Sequence, residues 1–214
     1  MADNYLEKRY EEVFGNGGAQ KKGSHRPTPS IDNLLAKNRS HRGYEKSRVV
    51  TREELERIVR VNYYIPSARN QQALRFRLVT RDTGADIVLK NIRLGGALPE
   101  LHLPFEGTEH EAFIIVCSKE PESRYVDMDA GISMQSMLLK AVSMGLNGII
   151  ICAFNREALT EAFALPYPPI AVVAIGKGAE RIQLVPIHEG ESQTYYREDG
   201  THFVPKVSPE ELII

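Results

Sequence analysis

The chain has 214 residues, 42% of them hydrophobic, with 27 basic against 28 acidic side chains and a formal net charge of -1. That length suits one domain with a sizeable core, and the balanced charge excludes a general attraction to nucleic acid or to an anionic membrane surface. No apolar run approaches the length that spans a bilayer, and MADNYLEKRYEEV carries no apolar signal core. Cys117 and Cys152 each lie in an apolar, strand-like run and read as buried thiols of a cytoplasmic protein.

In chain order, residues 3–14 set Leu6, Tyr10, Val13 and Phe14 on one helical face, and the Gly-rich, basic stretch 15–29 reads as a linker. Residues 1–29 are therefore expected to form an arm, and 30–214 the main domain. Ser30 can cap a short helix carrying Ile31, Leu34 and Leu35. It ends in Asn38-Arg39-Ser40-His41-Arg42-Gly43-Tyr44, a concentration of hydrogen-bond donors that is either an anion site or a solvated basic loop. Thr51-Arg52-Glu53-Glu54 is a capping box opening a helix that continues to Tyr63. The loop from Ile65 to Ala73 is rich in amides and hydroxyls, suited to the edge of a heteroaromatic ring or to an ordinary helix-to-strand connection, and an alternating strand follows from Arg75 to Thr80.

From Gly84 to Gly107 a short helix gives way to a Gly/Pro-rich loop. His102 and His110 form no metal-ligand spacing with a neighbouring Cys or carboxylate, so no metal is expected. Glu111 to Ser118 is a buried strand. The most strongly specified stretch is DAGISMQSMLLKAVSMGLNGIIICAF from Asp129, which predicts a helix capped by Asp129, apolar around all but a stripe of Ser133, Ser136, Lys140 and Ser143, and stopped at Gly145. A core strand from Gly148 to Cys152, a helix capped by Asn155, a third buried strand from Ile170 to Ile175 and an extended segment from Gly200 to Lys206 complete the pattern. Ser208 to Glu211 starts a last helical turn.

The R-S-x-R cluster at Arg39 to Arg42, the P-S-x-x-N-x-Q loop at Pro66 to Gln72, the D-x-G helix from Asp129, the Gly145-Leu146-Asn147-Gly148 junction, the Ile175-Gly176-Lys177 strand end and the Val204-Pro205-Lys206 tail follow one another in an order that resembles the FMN-dependent nitroreductase family. The resemblance implies an α+β fold with a central mixed sheet flanked by helices, built as an intertwined homodimer with FMN at the subunit interfaces. It implies that Arg39, Ser40, Arg42 and Lys206 hold the phosphate, the ribityl chain and the pyrimidine edge. Pro66, Ser67, Ala68, Arg69 and Asn70 then form a loop reaching the partner's flavin, and Asn147 and Gly148 a backbone turn near N5. Asn38 and Val207 stand where the family often has arginine, and Arg69 where it usually has a small or uncharged residue.

The activity implied is transfer of reducing equivalents from NADH or NADPH, through FMN, to nitroaromatics, quinones or similar conjugated acceptors. The cofactor carries the chemistry, so no catalytic side chain is expected. Two further readings share the fold: an FMN enzyme acting on one specific metabolite by enone reduction, dehydrogenation or dehalogenation, and a flavin-binding protein of low turnover.

Overall fold

The computed structural model describes residues 29–96 and 103–214, so the arm expected over residues 1–29, with its helical face at 3–14, lies outside the described residues but for its last residue. The first described helix, α1 (Ile31–Lys37), buries none of its residues within the chain, and Ile31 and Leu35 stay exposed. In α2 (Arg52–Val59) the predicted capping box forms: the Thr51 hydroxyl accepts from Glu54 N, and the Glu54 carboxylate from Thr51 N. Leu55 and Ile58 face inward, and a 3-10 turn, Arg60–Tyr63, extends the helix to the predicted end.

Four strands, β1 (Leu74–Val79), β2 (Phe113–Ser118), β3 (Asn147–Ile151) and β4 (Pro169–Gly176), form a sheet in the order β1-β2-β4-β3, each pair antiparallel. β2 is buried at every position and β4 at all but Ile170, which is why both read as continuous apolar runs. Their alternate side chains supply two cores. Ile114, Val116, Val173 and Ile175 pack with Leu55 and Ile58 of α2 and with Met134, Met137, Leu138 and Ala141 of α4 (Arg124–Ser143). On the other face, Phe113, Ile115, Val172 and Ala174 pack with Val88 of α3 (Ala85–Lys90) and Leu159 of α5 (Arg156–Phe163). The sheet is thus sandwiched between two helical layers. Cys117 is buried as expected, whereas Cys152, one residue past β3, is exposed because the apolar run outlasts the strand.

The long helix α4 departs from expectation at its start. Ser123 caps it, its hydroxyl accepting from Val126 N, and Asp129 lies a full turn inside rather than at the cap. The buried Asp129 carboxylate instead accepts the backbone N–H of Ala68 at 2.8 Å. Ser133, expected on a polar stripe, is fully buried and donates to Asn62 Oδ1 at 2.5 Å. Gly145, at φ 76°, ends the helix in the left-handed conformation that a glycine stop requires. Although α4 is apolar on most sides, one side is not covered within the chain: Tyr125, Met128 and Ile132 are 46%, 57% and 39% exposed.

A second sheet contains β5 (Arg181–Ile187), β6 (Tyr196–Glu198) and β7 (Thr201–Val207), with β5 parallel and β6 antiparallel to β7. This mixed pairing, together with a parallel bridge from Ser40 to Gly148 on the outer edge of β3, completes an α+β architecture. Only β7 was anticipated as an extended segment.

Candidate functional site

The first functional motif is placed by that bridge. His41 N donates to Gly148 O at 3.2 Å, so Arg39, Ser40 and Arg42 run alongside the start of β3. A side chain at position 148 has no room against the sheet and α4: a Cβ there would stand 2.5 Å from Leu138 Cδ2 and 2.6 Å from Ala174 O. On the opposite side, period-two alternation along β7 turns His202, Val204 and Lys206 to one face. Between these walls lies a cavity of about 360 Å³, whose floor is Asn38, Arg39, Ser40 and Arg42 and whose remaining lining includes Gln135 and Leu138 of α4, Gly148 and Ile150 of β3, Ile182 of β5 and Tyr195.

The lining holds three permanent cations, Arg39, Arg42 and Lys206, and no carboxylate. Burial lowers the pKa of Arg39, whose Nη2 donates to Leu35 O at 2.8 Å and whose Nε is buried without a partner. The nearby carboxylate, Glu180, is otherwise engaged: it pairs with Arg197 and accepts the backbone N–H groups of Arg42 and Gly43. The Arg42 guanidinium lies 4.8 Å from the Tyr195 ring centroid, and Nη1 reaches Ser40 O at 3.2 Å and His202 Nε2 at 3.3 Å. Burial, with Arg42 and Arg197 adding, pushes the His202 pKa down to about 4, so the imidazole is neutral at neutral pH. This donor set fits a phosphate-bearing ligand: guanidinium and ammonium groups beside a hydroxyl.

The second motif stands elsewhere. Pro66 and Ser67 line a separate cavity of about 200 Å³ with Asn62, Tyr63, Phe76, Asp129 and Ser133 among its walls. Ala68–Asn70 is a 3-10 turn in which Arg69 and Asn70 both take φ 53°, and Gln72 takes φ 48°. Left-handed backbone at three non-glycine residues is costly and persists only when the surroundings enforce it. Here Asp129 holds Ala68 N, and the Ser67 hydroxyl accepts from Gln72 N at 3.1 Å. Arg69 is exposed, with its guanidinium 5.5 Å from the Tyr125 ring centroid.

Of the residues predicted for a site, the structure therefore brings Arg39, Ser40, Arg42, Gly148 and Lys206 to one cavity and leaves Pro66, Ser67, Ala68, Arg69 and Asn70 apart from it. Asn147 opens β3, and its side chain is structural, accepting from Gly178 N at 3.1 Å and donating to Lys37 O at 3.5 Å. Sequence reasoning missed Gln135, Ile182, Tyr195 and His202. Counting back by twos from Lys206 along an extended segment reaches His202; nothing local marks the others. Among the described residues no group of His, Cys, Asp or Glu could hold a metal, and no helix is long and apolar enough to cross a membrane.

The model of the nitroreductase family matches residues 35–177, two thirds of the chain and both motifs. The chain belongs to the nitroreductase family. Solved structures carry the same fold. A nitroreductase family protein from Clostridium difficile is 24% identical, covers 71% of this chain and 86% of its own, and superposes with a TM-score of 0.56. One from Streptococcus pneumoniae, 15% identical, covers 86% of this nitroreductase-family chain and 98% of its own at a TM-score of 0.61. A third, from Exiguobacterium sibiricum and solved in complex with FMN, is 17% identical and covers 73% and 92% at a TM-score of 0.58. Comparison with curated proteins gives no match.

Proposed function

We propose that this nitroreductase-family chain is an FMN-dependent oxidoreductase that uses NADH or NADPH to reduce nitroaromatics, quinones or similar flat, conjugated acceptors. The observation that carries the reading is the cavity of about 360 Å³ lined by Arg39, Arg42 and Lys206 without a carboxylate, walled by the backbone of Gly148. Arg39, Ser40 and Lys206 would hold the phosphate, and Arg42 the more distal polar edge of the cofactor. Bound FMN would supply the hydride and electron chemistry, and the chain's residues bind and orient it. The purified protein is expected to be yellow, to release FMN rather than FAD on denaturation, and to consume NADH or NADPH with menadione. A colourless protein that takes up no FMN would defeat the reading, and flavin without turnover would leave a flavin-binding protein.

We further propose a homodimer in which the Ser67–Asn70 loop completes the partner's flavin site. The support is that this loop stands apart from the cationic cavity, and that the uncovered apolar side of α4 lies beside it through the Arg69–Tyr125 contact. Sedimentation of the flavin-loaded protein checks this, and a stable flavin-loaded monomer would contradict it.

A further inference from the structure

We propose that His202 is a positioning residue for Arg42, holding its guanidinium toward the anionic ligand as one jaw of a clamp whose other jaw is the Tyr195 ring. The inference deepens the flavin-site reading and rests on it.

The argument begins with competition. Arg42 sits next to Glu180, whose carboxylate could satisfy a guanidinium fully and so withdraw it from any ligand. Glu180 does not do this: Arg197 pairs with the carboxylate and the backbone N–H groups of Arg42 and Gly43 also fill it. Among the described residues no carboxylate pairs with the Arg42 side chain, which lines the cavity. The Ser40 carbonyl takes one donation from Nη1 at 3.2 Å, but a side chain with several rotatable bonds needs a second contact to fix its direction.

His202 provides one. Arginine only donates, so the contact from Arg42 Nη1 to Nε2 makes that nitrogen the acceptor and places the imidazole proton on Nδ1. A neutral acceptor steers the guanidinium without neutralising it, which a carboxylate at the same place would do. His202 is itself immobilised: it is 1% exposed, lies between β5 and β6 in register with Ile182 and Arg197, and stacks edge-on against Tyr195, the ring that also faces Arg42. Tyr195, Arg42 and His202 are thus mutually in contact, and all three line the cavity. Nδ1 of His202 is buried and unpartnered, an arrangement hard to explain by packing alone, since an apolar side chain would fill the position without that penalty.

The test is a double-mutant cycle on FMN affinity, read from recovery of flavin fluorescence on serial dilution of the holoprotein. His202→Leu and His202→Phe both remove the acceptor, and either one that folds suffices. We expect each to weaken FMN binding about five- to tenfold, the size of one net hydrogen bond. His202→Gln, whose amide oxygen can replace Nε2, should stay within about twofold of wild type. In an Arg42→Ala background His202→Leu should add almost nothing, because its effect passes through Arg42. Full additivity with Arg42→Ala, or a His202→Gln loss as large as the leucine loss, would overturn the clamp and leave a packing role. Wild-type protein that holds no FMN would instead overturn the flavin reading.

Discussion

At the scale of single residues, two buried positions show how local chemistry limits what the fold tolerates. Gly148 walls the cavity where the Arg39–Arg42 segment bridges to β3, and a methyl group there would meet both the Leu138 side chain and the Ala174 carbonyl oxygen. Gly148→Ala should therefore cost about 1–3 kcal/mol of stability, the usual range for overpacking, and weaken FMN retention, measured together by urea denaturation and flavin content. His110 is 1% exposed, packs against the rings of Tyr44 and Phe113, and has neither ring nitrogen partnered. Burial pushes its pKa down to about 4 from 6.5. The folded state then binds fewer protons than the unfolded one between those values, so stability is full above pH 6.5 and falls as the pH drops toward 4. At about 1.4 kcal/mol per pH unit the loss is on the order of 3 kcal/mol. His110→Phe should flatten this part of the pH–stability curve, seen as a smaller drop in Tm between pH 7 and pH 4.5.

At the scale of elements, the strained turn after Ser67 is held by α4. Asp129→Ala should cost about 1.5–3 kcal/mol, as for a hydrogen bond to a charged group, and Asp129→Asn clearly less because its amide oxygen still accepts from Ala68; urea denaturation of both variants decides. This role was hidden in the sequence, where Asp129 looks like a cap because Asp is a good cap, while the actual cap, Ser123, follows Pro121 and Glu122 in what reads as a loop. β2 and β4 were legible because burial on both faces leaves a continuous apolar run. β5 was not: it carries the polar Arg181 and Gln183 and also Pro186, a residue that strands tolerate mainly at a sheet's edge, and β5 is such an edge. The site divides the same way. Its floor is a contiguous motif, Arg39 to Arg42, whereas Gln135, Tyr195 and His202 reach the cavity only through tertiary packing.

At the scale of the whole molecule, the uncovered side of α4 and the Tyr63–Tyr64 pair, 85% and 75% exposed, present more large apolar surface than a lone chain of this size needs to show. Under the proposed dimer, Ile132→Glu should shift sedimentation toward monomer and lower flavin occupancy with it, while leaving the folded content measured by circular dichroism in place. Unchanged association would separate this surface from the assembly.

The cavity joins two stretches of chain far apart in sequence, Arg42 and His202 being separated by 160 residues. During synthesis at about 5–20 residues per second, the arginine floor exists for roughly 8–32 s before the histidine wall is made. A nascent chain in that interval offers a basic, half-built surface and no enclosed cavity. Under the proposed flavin site, loading with a phosphate-bearing cofactor is therefore a late event, gated by completion of β7, and cofactor scarcity should act on finished chains rather than on their translation.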